Sequence, residues 1–295
     1  MGTEALLPLA GHLAYASFVI PAARIVYVET PKAACTTFKR LWHQLYPREV
    51  ADDFYLMDQS SLAMNVHSRQ LHACVSLHDL HQDMLDAVLH SQDWMRFAVV
   101  RNPYQRLFSC WRDKVYGHEP GFIRHQPALL AALASIVDPI DHFRAFSQWV
   151  LDRNSANHHW QPMNEWLCCD HISYTHLIKV ESLAQQITPV LERLQIEWSQ
   201  FKELEANQAL MPLPQAPYYD DDLAARVYQY YRQDFALFDY DADAWQSVGR
   251  GPRFVPRDEW ELPSYQSHHQ TILQAIRSRN QVIALLNQKL SATLS

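Results

Sequence analysis

The chain has 295 residues, 48% hydrophobic and 19% charged, enough for one large domain with its own core or for a domain with an appendage. A net charge of −7, with histidine counted as neutral, excludes a general nucleic-acid-binding surface and leaves room for local basic patches. No apolar stretch reaches the roughly 18 residues of a transmembrane segment, and no charged region followed by a continuous apolar run opens the chain as a signal peptide does. Five cysteines without a CxxC pair suit a soluble protein with unpaired thiols in a reducing compartment, so a cytoplasmic location is expected.

The first clear element is RIVYVE, residues 24–29, a strand. Behind it Phe38, Leu41, Trp42 and Leu45 recur at helical spacing, which predicts a helix over 36–46 that Pro47 ends. Residues 50–95 are polar and rich in histidine, with a helix predicted around 79–90. Phe97 to Val100 is a short continuous apolar run, the mark of a strand buried on both faces. Asn102 and Pro103 then form a good N-cap and first-turn pair, and Leu107, Phe108, Trp111 and Val115 give the following helix its apolar face. A third strand–helix unit is HLIKVESLAQQITPVLERL, with a capping box predicted at Ser182 and Gln185 and a bend or break predicted at Pro189.

Strands alternating with helices predict an α/β fold built on a central parallel sheet. Proline-rich stretches at 212–217 and 252–263 read as ordered loops or linkers. In the tail, Ile272, Ile276, Ile283, Leu286 and Leu290 predict a helix that Arg279 interrupts. Its repeat is short for a coiled coil, so a docking helix and a weak homo-oligomer helix both stand. The expected division is a main domain over 1–250 and a linker with a C-terminal helix over 251–295.

Two turns carry the chemistry. The first is Pro31-Lys32-Ala33-Ala34-Cys35-Thr36-Thr37, between a strand and a helix. A helix N-terminus there presents unpaired N–H groups, Lys32 adds a charge, the threonines add hydroxyls, and two alanines are small enough to let the backbone approach an anion. The GxxxxGK[ST] pattern of nucleoside-triphosphate loops is absent. Taken alone, the stretch also fits an ordinary connection with a surface lysine. The second turn strengthens the anion reading. Arg101 ends a buried strand, where open α/β sheets place ligand contacts. Arg106 and Ser109 are three apart on the following helix and share a face, so with Arg101 they could surround a phosphate, whose oxygens guanidinium forks match. The competing reading pairs Arg106 with Asp113 or Asp152 at the surface. Two anion turns at the ends of two strands in one sheet suggest a ligand with anionic groups at both ends.

These blocks resemble a known family. TPKAACTTFKRLW is similar to the 5′-phosphosulfate loop of Golgi-type carbohydrate sulfotransferases, and FAVVRNPYQRLFSCWRDKV to their 3′-phosphate segment. HHWQPMNEWLCCDHISYTHLIKVESL and VYQYYRQDFALFDYD resemble two further blocks of the same proteins, in the same order. The likeness is strongest to the chondroitin, dermatan and HNK-1 group and its bacterial relatives, over about residues 24–241. It implies a three-layer fold like that of P-loop NTPases and a sulfotransferase that uses 3′-phosphoadenosine 5′-phosphosulfate (PAPS) and releases adenosine 3′,5′-bisphosphate (PAP). Residues Lys32 to Thr37 would hold the 5′-phosphosulfate. Arg101 and Ser109 would hold the 3′-phosphate, with Arg106 supporting. Cys168 and Cys169 are adjacent, where the family spaces the cysteines of its disulfide loop, which suggests a soluble bacterial relative.

The reaction implied is in-line transfer to a carbohydrate or glycoconjugate hydroxyl, with Lys32 stabilising the leaving oxygen and no metal required. An acceptor hydroxyl needs a general base. His67 is the first candidate, His72 the second, and His158 or His159 the third. Trp160 and Trp166 are either a sugar-stacking surface or core. His158, His159, Cys168, Cys169 and His171 lack the usual zinc spacings. The competing functions are a P-loop-type kinase or nucleotide hydrolase, which the missing glycine–lysine pattern opposes, and a non-catalytic nucleotide-binding relative. Acceptor specificity is expected in the loops at 50–95 and 115–170.

Overall fold

The computed structural model describes residues 10–49, 69, 72–117, 122, 125–153, 156–204 and 216–249. His67, the proline-rich stretch at 252–263 and the C-terminal helix expected beyond it lie outside the described residues.

A four-stranded sheet organises the chain. Its order is β1 (Ser17–Ile20), β2 (Ile25–Val28), β3 (Met95–Val100) and β4 (His176–Lys179). Strands β2, β3 and β4 run parallel, with Tyr27 opposite Phe97 and Phe97 opposite His176. Strand β1 pairs antiparallel with β2 and forms an edge that the sequence reading did not anticipate. Every residue of β2 and β3 is buried, as expected of strands covered on both faces; the one charged residue among them, Arg96, places its guanidinium on the carbonyls of Val88, Ser91 and Ser173.

The alternation along the strands sorts side chains into two cores. Tyr27, Phe97, Val99 and Ile178 face Phe38, Leu41 and Trp42 of α2 (Cys35–Leu45) and Val190 and Leu191 of α9 (Thr188–Leu194). Val26, Val28, Ala98 and Val100 face Leu13 of α1 (Leu13–Ala16), Leu85 and Val88 of α3 (Gln82–His90), and Met163 and Trp166 of α7 (Met163–Trp166). Helices thus cover both faces of a mainly parallel sheet, the expected three-layer α/β arrangement.

A third apolar cluster is helical. It joins α4 (Pro103–Cys110), α5 (Pro127–Leu133), α6 (Pro139–Leu151), α11 (Asp221–Tyr230) and α12 (Arg232–Leu237) around Trp111, Phe143, Tyr218 and Tyr231. Trp160 and Trp166 are both buried, so they serve as core and present no stacking surface.

Most local expectations hold and three change. Asn102 caps α4, its Oδ1 accepting from the N–H groups of Tyr104 and Gln105, with Pro103 in the first turn. Pro189 does break the third helix, which splits into α8 (Leu183–Gln186) and α9. The capping box at Ser182 and Gln185 does not form: Ser182 makes no side-chain cap, and Gln186 instead accepts from the Lys179 N–H at 2.7 Å. The helix after the second turn is α-helical only to Cys110 and continues as a π-helical turn over Trp111–Tyr116. The helix predicted around 79–90 starts at Gln82, after a short 3-10 turn over Leu77–Asp79 that Ser76 and Asp79 cap.

Candidate anion site at the strand ends

Because β2 and β3 are parallel neighbours, the turns that follow them open on the same edge of the sheet. Three contacts join the turns. Arg101 Nη1 donates to the Lys32 carbonyl at 3.1 Å, and Arg106 Nε donates to the Pro31 carbonyl at 3.0 Å. The Lys32 ammonium lies 2.5 Å from Asp113 on the π-helical turn. The two motifs are therefore one site.

The first turn bends without glycine. Lys32 and Ala34 both adopt left-handed backbone, with φ of 69° and 57°, on either side of Ala33. The Ala33 N–H is committed to the Thr30 carbonyl at 3.1 Å, so the N–H groups this turn can offer an anion are chiefly those at the start of α2. Ala34 is the N-cap of α2 and supplies no side-chain cap, so the first N–H groups of the helix, from Cys35 onward, lack an intrahelical partner. Ala33 is buried in the core against Phe38, so its methyl anchors the loop rather than clearing a path for an anion. Cys35 and Thr36 are half-buried and Thr37 is buried.

The second turn divides its labour. Arg101 is half-buried beside the loop, while Arg106 is only 1% exposed. All three donor positions of Arg106 are committed to main-chain carbonyls. Besides Pro31, Nη1 donates to Gln161 at 2.7 Å and Nη2 to His158 at 3.0 Å. The surface pairing of Arg106 with Asp113 or Asp152 does not occur. Asp113 belongs instead to Lys32 and to Arg112, whose Nε donates to it at 3.0 Å. Ser109 Oγ points to the same carboxylate at 3.4 Å. Burial pushes the Asp113 carboxyl up, but the two cations outweigh it and hold the carboxyl below its ordinary value.

Two further segments lock onto this frame. Asn102 N–H donates to Glu181, just beyond β4, at 2.8 Å, and the Tyr240 hydroxyl donates to the other Glu181 oxygen at 3.0 Å. The segment from His158 to Asn164 is pinned through its backbone. Tyr231 Oη donates to the Trp160 carbonyl at 2.6 Å, and Asp234 accepts from the N–H groups of Met163 and Asn164 at 2.7 Å each. Trp166 Nε1 donates to the Glu29 carbonyl at 2.6 Å, tying the segment to the start of the first turn. Glu29 itself forms a buried ion pair with Lys39 at 2.6 Å. Burial raises its carboxyl, and Lys39 opposes the rise.

The described histidine candidates differ in setting. His72 is 2% exposed and packs on Phe18, and burial lowers it to about 4. His158 is half-buried against Trp166, and burial together with Arg106 and nearby lysines lowers it to about 4. Burial and the adjacent His158 lower His159 further. All five cysteines are thiols, the adjacent Cys168 and Cys169 included. Among the described residues no cluster of histidine, cysteine and carboxylate side chains is arranged to hold a metal ion, and no helix is long and apolar enough to cross a membrane.

Sequence reasoning did not assign Arg112, Asp113, Glu181, Asp234 or the Glu29–Lys39 pair to the site. Asp113 carried one usable signal, its position four residues after Ser109 on the same helical stretch. The others join the site through strand ends and backbone contacts that spacing does not reveal.

Known proteins resemble this chain in sequence. Carbohydrate sulfotransferase 11 of Mus musculus is 24% identical over 237 residues, which is 73% of this chain and 64% of that protein. Carbohydrate sulfotransferase 8 of Homo sapiens is 24% identical over 245 residues, 76% of this chain and 55% of that protein. The chain thus spans less than two thirds of the length of these curated relatives. A crystal structure of a sulfotransferase from Alicyclobacillus acidocaldarius aligns over 74% of this chain and 88% of that one, at 15% identity and a TM-score of 0.23, too low to bear on the fold. The pattern of the Sulfotransferase family matches residues 15–241, well over half of the chain and inclusive of both anion turns, Glu181 and Asp234, and on that match the chain belongs to the sulfotransferase family.

Proposed function

We propose that this protein transfers the sulfuryl group of PAPS to a hydroxyl of a carbohydrate or glycoconjugate, in line and without a metal ion, releasing PAP. The observation that carries the reading is the direct bond from Arg101 to the Lys32 carbonyl, which fixes two anion turns side by side. A ligand with a phosphosulfate at one end and a phosphate at the other suits such a pair.

In this reading the loop from Pro31 to Thr37 cradles the 5′-phosphosulfate through backbone N–H groups and the hydroxyls of Thr36 and Thr37. Lys32 stabilises the charge that develops on the bridging oxygen as the sulfur–oxygen bond breaks. Arg101 and Ser109 take the 3′-phosphate. Arg106 acts on structure, since its three bonds to carbonyls fasten the loop to the segment at His158. The acceptor hydroxyl loses its proton to a base as it attacks. His67 is that base by the family resemblance, and the lowered values of His72 and His158 make those two weaker bases than an ordinary imidazole. The relatives named as carbohydrate sulfotransferases support a carbohydrate acceptor.

Calorimetry with PAP and with Mg-ATP tests the reading. PAP is expected to bind tightly with no metal present, and ATP weakly and without regard to Mg²⁺. A preference for Mg-ATP would replace the proposal with a kinase or nucleotide hydrolase. Binding of PAP with no turnover of PAPS on any glycan of an acceptor array would reduce the protein to a nucleotide-binding relative.

A further inference from the structure

One carboxylate stands where the two turns converge. Its oxygens receive Lys32 Nζ at 2.5 Å, Arg112 Nε at 3.0 Å and Ser109 Oγ at 3.4 Å. Lys32 and Ser109 are groups that the donor reading reserves for the phosphosulfate and the 3′-phosphate. The pair is sheltered, with the Lys32 side chain 12% exposed and that of Asp113 29% exposed, so water screens it less than a surface ion pair.

The backbone is shaped to deliver this carboxylate. Asp113 lies on the π-helical turn Trp111–Tyr116 that replaces the end of α4. Such turns are rare and gather at functional sites. The chain leaves the turn through Gly117, whose N–H donates to the Arg112 carbonyl at 2.9 Å. A Cβ at Gly117 would stand 2.9 Å from both the Arg112 and Asp113 carbonyls, so the glycine is what permits the close exit.

We propose that Asp113 is a resident counter-anion of the donor site: in the empty site it takes Lys32, Arg112 and Ser109, and it gives up Lys32 when the anionic donor enters. This inference rests on the donor reading above. Asp113 then compensates the positive charge of the two turns while no ligand is bound, and it competes with the ligand for the same donors. Competition weakens binding of donor and product alike. Recapture of Lys32 by Asp113 helps expel the bisphosphate product, a step that limits turnover in many enzymes.

The test is titration of PAP into the wild type and into Asp113→Asn, Asp113→Ser and Asp113→Glu, with circular dichroism and thermal unfolding of each. Asn and Ser remove the competing charge, so both are expected to bind PAP at least about tenfold more tightly and to release it more slowly; a tenfold change is about 1.4 kcal/mol. Glu keeps the charge and is expected to stay within about threefold of the wild type. Folded Asn and Ser variants that bind PAP equally or more weakly overturn the proposal and make Asp113 a residue that positions Lys32. Failure of both variants to fold even with PAP present also overturns it, by making the carboxylate structural. If the wild type does not bind PAP at all, the donor reading falls separately, and inorganic sulfate titrated into the same four proteins still decides on Asp113: tighter sulfate binding by Asn and Ser supports it, and unchanged or weaker binding sinks it.

Discussion

Replacing Arg106 with lysine keeps the charge and removes the fork. Its side chain is 1% exposed and places three donors on three carbonyls, those of Pro31, His158 and Gln161, at 2.7–3.0 Å. These acceptors belong to two separate segments, so a single ammonium reaches one segment or the other. At least one charge-assisted bond is lost and its carbonyl is left buried, at about 1.5–3 kcal/mol for each bond. The more strongly hydrated ammonium adds a desolvation cost where arginine sat. Arg106→Lys is therefore expected to lower stability by about 2–4 kcal/mol, seen as a smaller urea midpoint and a fall in Tm on the order of 5–10 °C. Because Pro31 leads directly into the anion loop, PAP affinity should fall with it, by about tenfold. A variant within about 0.5 kcal/mol of the wild type with unchanged PAP affinity refutes the view that this side chain fastens the two segments together.

Three further outcomes follow from the site. Lys32→Ala should cut sulfuryl transfer by about 10²–10³-fold, the usual effect of deleting a charge-stabilising donor, while PAP affinity falls much less; transfer that survives removes the leaving-group role. His67→Ala should lower transfer by about 10²–10⁴-fold at unchanged PAP affinity, and an unaffected rate in stopped assays moves the base to another residue. Asp234 is 0% exposed, and burial raises its carboxyl to about 6 against the opposing bonds from Asn164 and Met163. Between about pH 4 and pH 6 the folded state therefore holds a proton that the unfolded state has released, so this group's contribution to stability is full below about pH 4 and is lost as pH rises through 6. The loss is about 2–3 kcal/mol. The stability of wild type relative to Asp234→Asn, read from urea curves, should fall by about 2–3 kcal/mol from pH 4 to pH 7, and a difference independent of pH rejects the assignment.

The sheet was legible where burial is complete. The apolar runs of β2 and of Phe97 to Val100 in β3 name themselves, because strands covered on both faces are mostly apolar, and the Asn102–Pro103 pair marks the start of α4 by local chemistry alone. The edge strand β1 was missed because its four residues follow a helical turn and take their partners from β2 and, at Val19, from Val75. The Ser182 box does not form, and the neighbouring Gln186 takes the Lys179 N–H. Within the site, the residues of the two turns were readable since each lies next to a strand end. The role of Arg106 was not, since its partners are carbonyls from positions 31, 158 and 161, and any residue type supplies a carbonyl. Asp113 was visible as an acid near a serine, but the π-helical turn that aims it at Lys32 has no signature in the periodicity.

The loop without glycine follows from how its neighbours hold it. Left-handed backbone at a residue with a Cβ costs about 1–2 kcal/mol, and the loop accepts that cost at both Lys32 and Ala34. Such strain persists only where surrounding contacts over-determine it. Here they are identifiable: Ala33 is packed in the core, its N–H bonded to the Thr30 carbonyl at 3.1 Å, while Arg106 holds the Pro31 carbonyl and Arg101 the Lys32 carbonyl. Glycine at these positions would relieve the strain and also widen the range of shapes open to the empty loop. Alanine and lysine keep that range narrow, and on the donor reading less binding energy then goes into ordering the loop. The arginines of the second turn thus serve the first by anchoring its carbonyls, Arg106 at Pro31 and Arg101 at Lys32.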